Sequence, residues 1–495
     1  MRIAVVGSGV SGLAATWLLN EHSDHDVHIY ESDSRAGGHA NTVKVESPDK
    51  EPADVDSGFI VFNPTSYPNF LRFLHSHPAI EILPTKMTFS VSRDGGAFEW
   101  AGKNLSTIFC HPRRLLDPAM WRLLYDVLRF NVCCRRLLVD TDNNVELSIG
   151  EYLEREGYSQ SFIDNYLIYV QPMTAAVWST PPDVCALDFP ARTLIRFMHN
   201  HHLLQITGKP SWLTIKGGSM KYVNAIISSL PENALRLSSS VVSVTSTPYP
   251  DADDRFLLTL QTLSGLTENY DHVIFACHSD DTLKIMSAVY AAQQISMVVL
   301  ELLDDIRTYW MNELQHLSLE VHGPLFATLN PPTPPSPSKI SSIHQYSHPV
   351  LDARAVRLQS DILAIQGTRG ISYAGAWLKY GFHEDGFASG LRAAEPLLRR
   401  DGQEGLAFEI ADANREGAEE IAWIAGVFDW LERSGAKERI ALALGALLGL
   451  IRMVLSVIFD LRDVKGEARV EAPVNGKTVK GDVKPFRFSG TRDVM

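Results

Sequence analysis

The residues best equipped for chemistry stand at the start of the chain. Gly7-Ser8-Gly9-Val10-Ser11-Gly12 spells G-x-G-x-x-G, and Glu31 stands nineteen residues after Gly12. In such a loop the first glycine permits a tight turn, and the second lets backbone approach a pyrophosphate. The third allows a helix to pack closely on its strand, and the helix N-terminus offers N–H groups to phosphates. An acid at the spacing of Glu31 accepts hydrogen bonds from ribose hydroxyls. Gly7, Ser8, Gly9, Ser11, Gly12 and Glu31 are therefore expected to hold an adenine dinucleotide.

Those residues work only if specific elements position them. Residues 2–6 are β-branched and apolar and stop at glycine, which predicts a short buried parallel strand. Residues 13–19 supply a helix, and Val27-His28-Ile29-Tyr30 supplies a second strand ending at the acid. A glycine triplet alone is weak; with strand, helix and acid in place it is specific. The residues after Glu31 select the cofactor. Arg35-Ala36-Gly37-Gly38-His39 resembles a flavin-binding fingerprint, in which the chain returns under the cofactor. NAD dehydrogenases usually continue into another βαβ crossover, whereas residues 55–63 here turn irregular. FAD is the expected cofactor, and Arg35, Gly37, Gly38 and His39 join its candidate residues.

A second cofactor element lies late in the chain. Residues 371–377 read as a strand closing on Gly375, and residues 381–394 begin a helix. Its N-terminus, with Glu384, Asp385 and Gly386, would turn backbone N–H groups toward the pyrophosphate–ribityl side and the flavin N1/O2 edge. A positive dipole end there stabilises charge that develops on reduction.

Taken together, G-x-G-x-x-G…E…R-x-G-G and G-A-W-x-x-Y-G-F-H-E-D-G-x-x-S-G-L resemble the flavin-containing amine oxidase superfamily. Within it, the match is to a branch of flavin oxidoreductases associated with cyclopropane-fatty-acid-synthase-type methyltransferases. Residues 56–63, 172–179, 216–219, 308–312 and 348–350 also fit that branch, and the resemblance covers roughly residues 1–400. It implies an α/β fold: a Rossmann-like FAD lobe (1–62, 215–285, 360–400) interwoven with an α+β substrate lobe (63–214, 286–359). A helical tail (401–495) completes the chain. It also implies a backbone contact from Val242 to adenine. Lys216, Tyr380 and His383 occupy family-like positions near the expected flavin face and are the weak catalytic candidates. Two departures stand out. The passage between Met286 and Tyr309 is shortened relative to the family, and Phe382 replaces the tyrosine that walls the amine cage of true amine oxidases. No cysteine accompanies the C-terminal motif, so the FAD is expected to be non-covalent.

The resemblance and the apolar tail imply an FAD-dependent oxidoreductase that removes a hydride from an apolar or fatty-acyl substrate and passes electrons to an unidentified acceptor. Two alternatives stay open: an amine oxidase proper, and a flavin-bound but catalytically silent partner protein.

Composition narrows the classes. The chain has 495 residues, 45% hydrophobic and 21% charged, with a net charge of −13. That is an ordinary globular balance without the basic footprint of nucleic-acid binding. Cys110, Cys133, Cys134, Cys185 and Cys277 are odd in number and contain no Cys-x-x-Cys, so neither a disulfide framework nor a zinc site of that kind is expected. Cys133 and Cys134 read as packed thiols. No secretory pattern opens the sequence, so an intracellular, reducing compartment is expected. His199, His201 and His202 lack convergent spacing on a helix, and no metal site is expected. His201 reads equally as a channel-lining or a packing histidine. Residues 113–138 read as helices with a solvated basic face, and residues 331–337 as an exposed polyproline-like loop.

The tail is different. Residues 440–459 are almost wholly apolar and, as a helix at ~1.5 Å per residue, would span about 30 Å. Twelve Leu, Ile, Val and Phe favour insertion by about 4–7 kcal/mol, against about 3 for Arg452. The stretch is expected to associate with a membrane, as a span or on its surface, with the catalytic lobes cytosolic; the alternative is a helix buried against the substrate lobe. Residues 421–428 suggest a second, interfacial helix.

Overall fold

The computed structural model describes residues 1–88, 90–93, 98–101, 109, 112–139, 147–163, 187, 190–201, 203–204, 212–249, 255–287, 307–329, 331, 335–349, 353–400, 408–412 and 422–458. The strands used below are β1 (Arg2–Val6), β2 (Asp26–Tyr30), β3 (Thr42–Val45), β4 (Ala53–Asp56), β5 (Leu235–Arg236), β6 (Val241–Pro248), β7 (Phe256–Thr262), β8 (Thr267–Tyr270), β9 (His272–Phe275) and β10 (Ile371–Tyr373). The helices are α1 (Val10–His22), α2 (Pro68–His75), α3 (Pro118–Cys133), α4 (Ala191–Asn200), α5 (Met220–Ser228), α6 (His383–Arg400), α7 (Ala422–Arg433) and α8 (Ala436–Ile458).

A parallel sheet of order β10-β9-β1-β2-β5 forms the centre. Every one of its strands comes from residues 1–62, 215–285 or 360–400. Both faces of β1 are covered, which explains its unbroken apolar run: Ile3, Ala4 and Val5 are fully buried. A three-stranded antiparallel sheet, β6-β7-β8, packs alongside. An ion cluster joins the two sheets: Glu268 binds Arg236 at 2.5 Å, Arg2 at 3.0 Å and the Tyr270 hydroxyl at 2.9 Å. Burial alone would raise the Glu268 carboxyl, but those donors outweigh it and hold it at about 2.

A second core is built mostly from residues 109–204, around Phe130, Tyr152, Tyr158, Phe162 and Phe197. The helices expected over 113–138 are present, but the basic residues there are not simply a solvated face. Arg129 is buried and meets Glu432 at 3.5 Å, and Arg136 grips Asp429 through two 3.0 Å hydrogen bonds. Their partners lie some 300 residues away, beyond the reach of any local pattern. Cys133 and Cys134 are buried and form no disulfide among the described residues.

α7 docks on α3, packing Ile424, Ala425 and Phe428 against Val132 and Cys133. α8 covers most of the expected apolar segment, and its Leu448 is buried. The expected membrane span is not supported: among the described residues no helix is long and apolar enough to cross a membrane. Lys437, Glu438, Arg439 and Arg452 put charge at the start and within the helix. The shortened passage falls largely within 288–306, which, like residues 172–179, Cys110, Cys185 and His202, lies outside the described residues. Residues 335–340, at the end of the expected polyproline-like loop, include a short 3-10 turn, Pro337–Lys339.

α1 packs tightly against α6, where glycines remove the spacing that side chains impose. A Cβ on Gly390 would collide with the Ser11 carbonyl, and one on Gly386 would lie 2.6 Å from Val10 Cγ1. Gly390→Ala is therefore expected to cost about 1–3 kcal/mol of stability through overpacking. Gly426→Ala on α7, where a Cβ meets nothing within 4 Å, should be neutral or stabilising by up to about 1 kcal/mol. Urea midpoints of the two variants check this; equal midpoints would refute the close seam.

Candidate dinucleotide-binding site

The glycine loop leaves β1 and enters α1 as its spacing predicts, and each glycine has a distinct surrounding. Gly7 has φ +104° and a Cβ there would lie 2.9 Å from the Ala276 carbonyl oxygen. A Cβ on Gly12 would overlap the Gly7 carbonyl, so helix and strand could not approach as they do. Gly9 is different: a Cβ would meet nothing within 4 Å. Gly7 and Gly12 answer to the chain's own packing; Gly9 faces open space. Gly38, φ +55°, packs against the Gly9 backbone, its Cβ direction 3.2 Å from the Gly9 Cα.

Glu31 ends β2 with its carboxylate beside this loop. Oε2 accepts from Ser8 N at 2.9 Å and Ser8 Oγ at 2.5 Å, and Oε1 accepts from Asp33 N at 2.8 Å. Ser8 thus holds the acid in place. Arg35 clamps its own loop: Nη2 donates to the Gly38 carbonyl at 2.8 Å and Nη1 to Ala40 at 3.4 Å. Gly37, φ +112°, is backed by the Ala40 carbonyl. His39 comes next, with a buried Nε2 that has no hydrogen-bond partner among the described residues. Burial, with His348, His278 and His383 nearby, holds its ring well below the ordinary histidine value, so it is neutral.

Val242 stands at a β-bulge. The ladder pairs Val241 with Thr262 and Ser243 with Gln261, leaving Val242 out of register. A bulged residue keeps backbone groups that the ladder does not consume, and Val242 is partly exposed. That is the requirement for a backbone contact to a base.

The late element meets the early one. Ser11, in the first turn of α1, is buried in the seam, and Gly386, in the first turn of α6, lies against Val10 and Ser11. The two helix N-termini therefore sit side by side. Gly375 ends β10; its N–H donates to Ser389 Oγ at 2.9 Å, and a Cβ there would strike the Trp377 indole. Trp377 Nε1 is likewise buried and without a partner among the described residues, so each of the two elements carries one unsatisfied buried polar atom.

Several candidates have roles other than those expected. Glu384 turns away to cap α2, accepting from Asn69 N (3.0 Å), Asn69 Nδ2 (2.6 Å) and Phe70 N (2.9 Å). Asp385 caps its own helix, accepting from Phe382 N at 3.0 Å and Tyr380 N at 3.2 Å. Burial pushes Glu384 up to about 7 and Asp385 up to about 6. Their side chains serve packing; only the backbone of this turn is offered to a ligand.

The three catalytic candidates are not brought together. Lys216 is exposed and paired with Glu81 at 2.7 Å. His383 is buried, stacks on Phe59 at 3.8 Å and binds the Tyr222 hydroxyl at 2.7 Å; burial pushes it down to about 3. A ring so placed is a neutral packing group rather than a proton carrier at neutral pH. Tyr380 packs against the second core, with its phenol pushed up by burial to about 12. His201 is also a packing residue, its Nδ1 3.0 Å from the Phe197 carbonyl and its ring 4.6 Å from Phe382.

One cluster has no local signal in the sequence. His348 and Tyr346 bring their rings within 5.0 Å and 4.9 Å of His39. The Tyr346 hydroxyl accepts from Asn41 Nδ2 at 2.9 Å and bonds Ser57 Oγ at 2.7 Å. The motif His348-Pro349-Val350 marks the segment without indicating its neighbours. His278, Asp280 and Asp281 also gather within 4.8 Å, but Lys284 already occupies both carboxylates at 2.8 Å.

Comparisons with known proteins agree with this geometry. Residues 5–76 match the NAD(P)-binding Rossmann-like domain. No curated protein matches the sequence. Among solved structures the fold is similar to cyclohexylamine oxidase from Brevibacterium oxydans (TM-score 0.53, 14% identity, covering 81% of this chain and 99% of that one). It is also similar to a putrescine oxidase variant (0.53, 13%, 81% and 99%). A third is a CLA-producing fatty acid isomerase from P. acnes (0.51, 13%, 80% and 98%).

Two measurements test the site. Gly9→Ala should leave thermal stability within about 0.5 kcal/mol yet abolish retention of a bound dinucleotide, read by native mass spectrometry. Retention equal to wild type would refute the assignment. The second concerns pH. Folding holds Asp385 protonated where the unfolded chain has released its proton, so its contribution is full below pH 3.8 and lost as pH rises to about 6. Between those values Asp385→Asn should remove up to about 1.4 kcal/mol per pH unit of falling stability. Urea unfolding across that range measures it, and an unchanged slope would contradict the burial argument.

Proposed function

We propose that this chain is an FAD-dependent oxidoreductase that removes a hydride from an apolar substrate, a fatty-acyl chain being the class best supported. The observation that carries the reading is the paired N-termini of α1 and α6 beside the open space over Gly9. Each N-terminus carries roughly +0.5 charge, and a pyrophosphate complements two of them together. The relatives of similar fold include amine oxidases and a fatty acid isomerase, which supports flavin chemistry on this scaffold.

When bound, FAD supplies the two-electron step by which a C–H hydride is taken up. The residues that would hold it are Gly9, Gly38 and Glu31 on the adenosine–pyrophosphate side, the Val242 backbone at the base, and the turn Gly375–Gly386. His39 Nε2 stands ready to hydrogen-bond a ligand, and its neutral ring supplies no charge. Phe59, Phe62, Phe70 and His383 stack into a rigid aromatic layer next to the His39 loop, since the Phe59 N–H donates to the His39 carbonyl. Such a layer excludes water and fixes the loop's position.

Non-covalent attachment is supported by Cys277. This is the cysteine adjoining the glycine loop through Ala276, and burial pushes its thiol up to about 12. A thiol so protonated is a poor nucleophile. An apolar substrate is favoured over an amine by Phe382, whose ring lies parallel to Phe197 at 5.2 Å and belongs to the second core. No tyrosine cage wall is offered there.

Native mass spectrometry of the purified chain should show FAD, released on denaturation. Under anaerobic conditions the bound flavin should bleach with a fatty-acyl substrate and stay yellow with primary amines. Bleaching by amines alone would return the amine oxidase reading. Inertness to both classes would favour the silent partner.

A further inference from the structure

We propose that residues 346–349 form a clamp across the two cofactor elements, in which Tyr346 is a positioning residue that fixes the His39 imidazole toward the bound dinucleotide. This rests on the FAD reading above and gives a duty to a segment that reading leaves unused.

His39 stands where a ligand of the parallel sheet would lie. Gly38, just before it, packs on the Gly9 backbone, and Gly9 itself faces open space. Phe275 ends β9, and His278, shortly after it, brings its ring to 6.4 Å from that of His39. Both histidines are therefore at the carboxyl ends of β1 and β9, the edge at which open α/β sheets take their ligands. His39 Nε2 is buried without a hydrogen-bond partner among the described residues.

The ring is held from a distant part of the chain. Tyr346 lies across it with centroids 4.9 Å apart and planes tilted by 30°, and His348 meets it edge-on at 5.0 Å. Tyr346 is fixed in turn by its hydroxyl, which accepts from Asn41 Nδ2 at 2.9 Å and lies 2.7 Å from Ser57 Oγ. Ser57 Oγ gives its own proton to the Asn41 carbonyl at 3.1 Å, so Tyr346 is the donor to Ser57. Both hydroxyl protons are thereby used. The latch closes on the backbone that carries His39: Ser57 N donates to the Asn41 carbonyl at 3.0 Å and Phe59 N to the His39 carbonyl at 2.9 Å. An imidazole with one aromatic across its face and another at its edge is already oriented, so a ligand need not order it on binding.

The far end of the segment reaches the other cofactor element. A Cβ on Gly381, in the turn before α6, would lie 3.2 Å from Pro349 Cγ. One short run of chain thus packs on the residues that follow Gly38 and on the turn that leads into α6. Ile343 and Gln345 are exposed, whereas Tyr346 to Pro349 are half-buried, so the seated part begins at the tyrosine.

The test measures FAD dissociation from the full, flavin-loaded chain, read as free-flavin fluorescence after dilution. Tyr346→Phe keeps the ring but removes the hydroxyl and should speed dissociation about tenfold. Ser57→Ala, which removes one partner of that hydroxyl, should speed it about threefold. Because Tyr346 acts through His39, its effect should vanish once that ring is gone: in a His39→Ala background, Tyr346→Phe should change the rate less than about twofold. A purely structural role would instead multiply with His39→Ala, and that result overturns the proposal. So does a wild-type rate in both Tyr346→Phe and Ser57→Ala. Should Tyr346→Phe fail to fold, Ser57→Ala and its combination with His39→Ala decide. Wild-type chain that neither carries nor takes up FAD overturns the FAD reading itself; FAD held equally by wild type and variants overturns the clamp alone.

Discussion

The architecture rests on how closely α1 and α6 approach. Helix axes ordinarily stand 8–10 Å apart because side chains separate them. Here Gly386 and Gly390 present no side chain to Val10 and Ser11, and Gly12 presents none to Gly7. Two segments more than 370 residues apart are thereby locked with their N-terminal turns adjacent. Two positive dipole ends held together repel, and an anion between them would offset that repulsion. In the proposed function, the packing as much as the glycine loop makes the place for a pyrophosphate.

A second theme is the buried acid used as a remote cap. Asp56 accepts from Ser219 N at the start of α5, and Glu384 accepts from Asn69 and Phe70 at the start of α2. Asp126 of α3 takes both the N–H and hydroxyl of Ser159. Each satisfies helix N–H groups that the helix itself leaves unpaired, and each joins elements far apart in the chain. Burial pushes Asp56 up to about 6 and Glu384 up to about 7, so these two carboxyls hold their protons to higher pH than free acids do. An acidic motif that reads as a ligand-binding signature is here largely a fastening.

The second core and the tail are joined by the same logic of distant polar contacts. Arg129 and Arg136 face α7, and Phe382, the residue just before α6, stacks on Phe197 of α4. The cofactor turn is consequently anchored on both cores, which fixes its position relative to any substrate held by the second.

Legibility tracked sequence distance. β1, α1, β2 and the acid at its end were readable because their signals are local: alternation of strand and helix formers, glycine at turns, and one fixed spacing. The Rossmann-like sheet grew out of them. Val242 was reached through a resemblance, and the bulge that frees its backbone emerged only with the ladder. By contrast, the duties of Glu384, Asp385 and His383 could not be read, because each is set by the packing around it, on α2, on α5 or in the turn before α6. His348 and Tyr346 beside His39, and Arg129 and Arg136 against α7, depend on loop closures of about 300 residues. Near-neighbour pattern alone determined where a dinucleotide could be gripped. Which side chains were spent on holding the fold, and which atoms remained for a ligand, was decided by three-dimensional packing, since burial and partnership are properties of the neighbourhood and not of the residue.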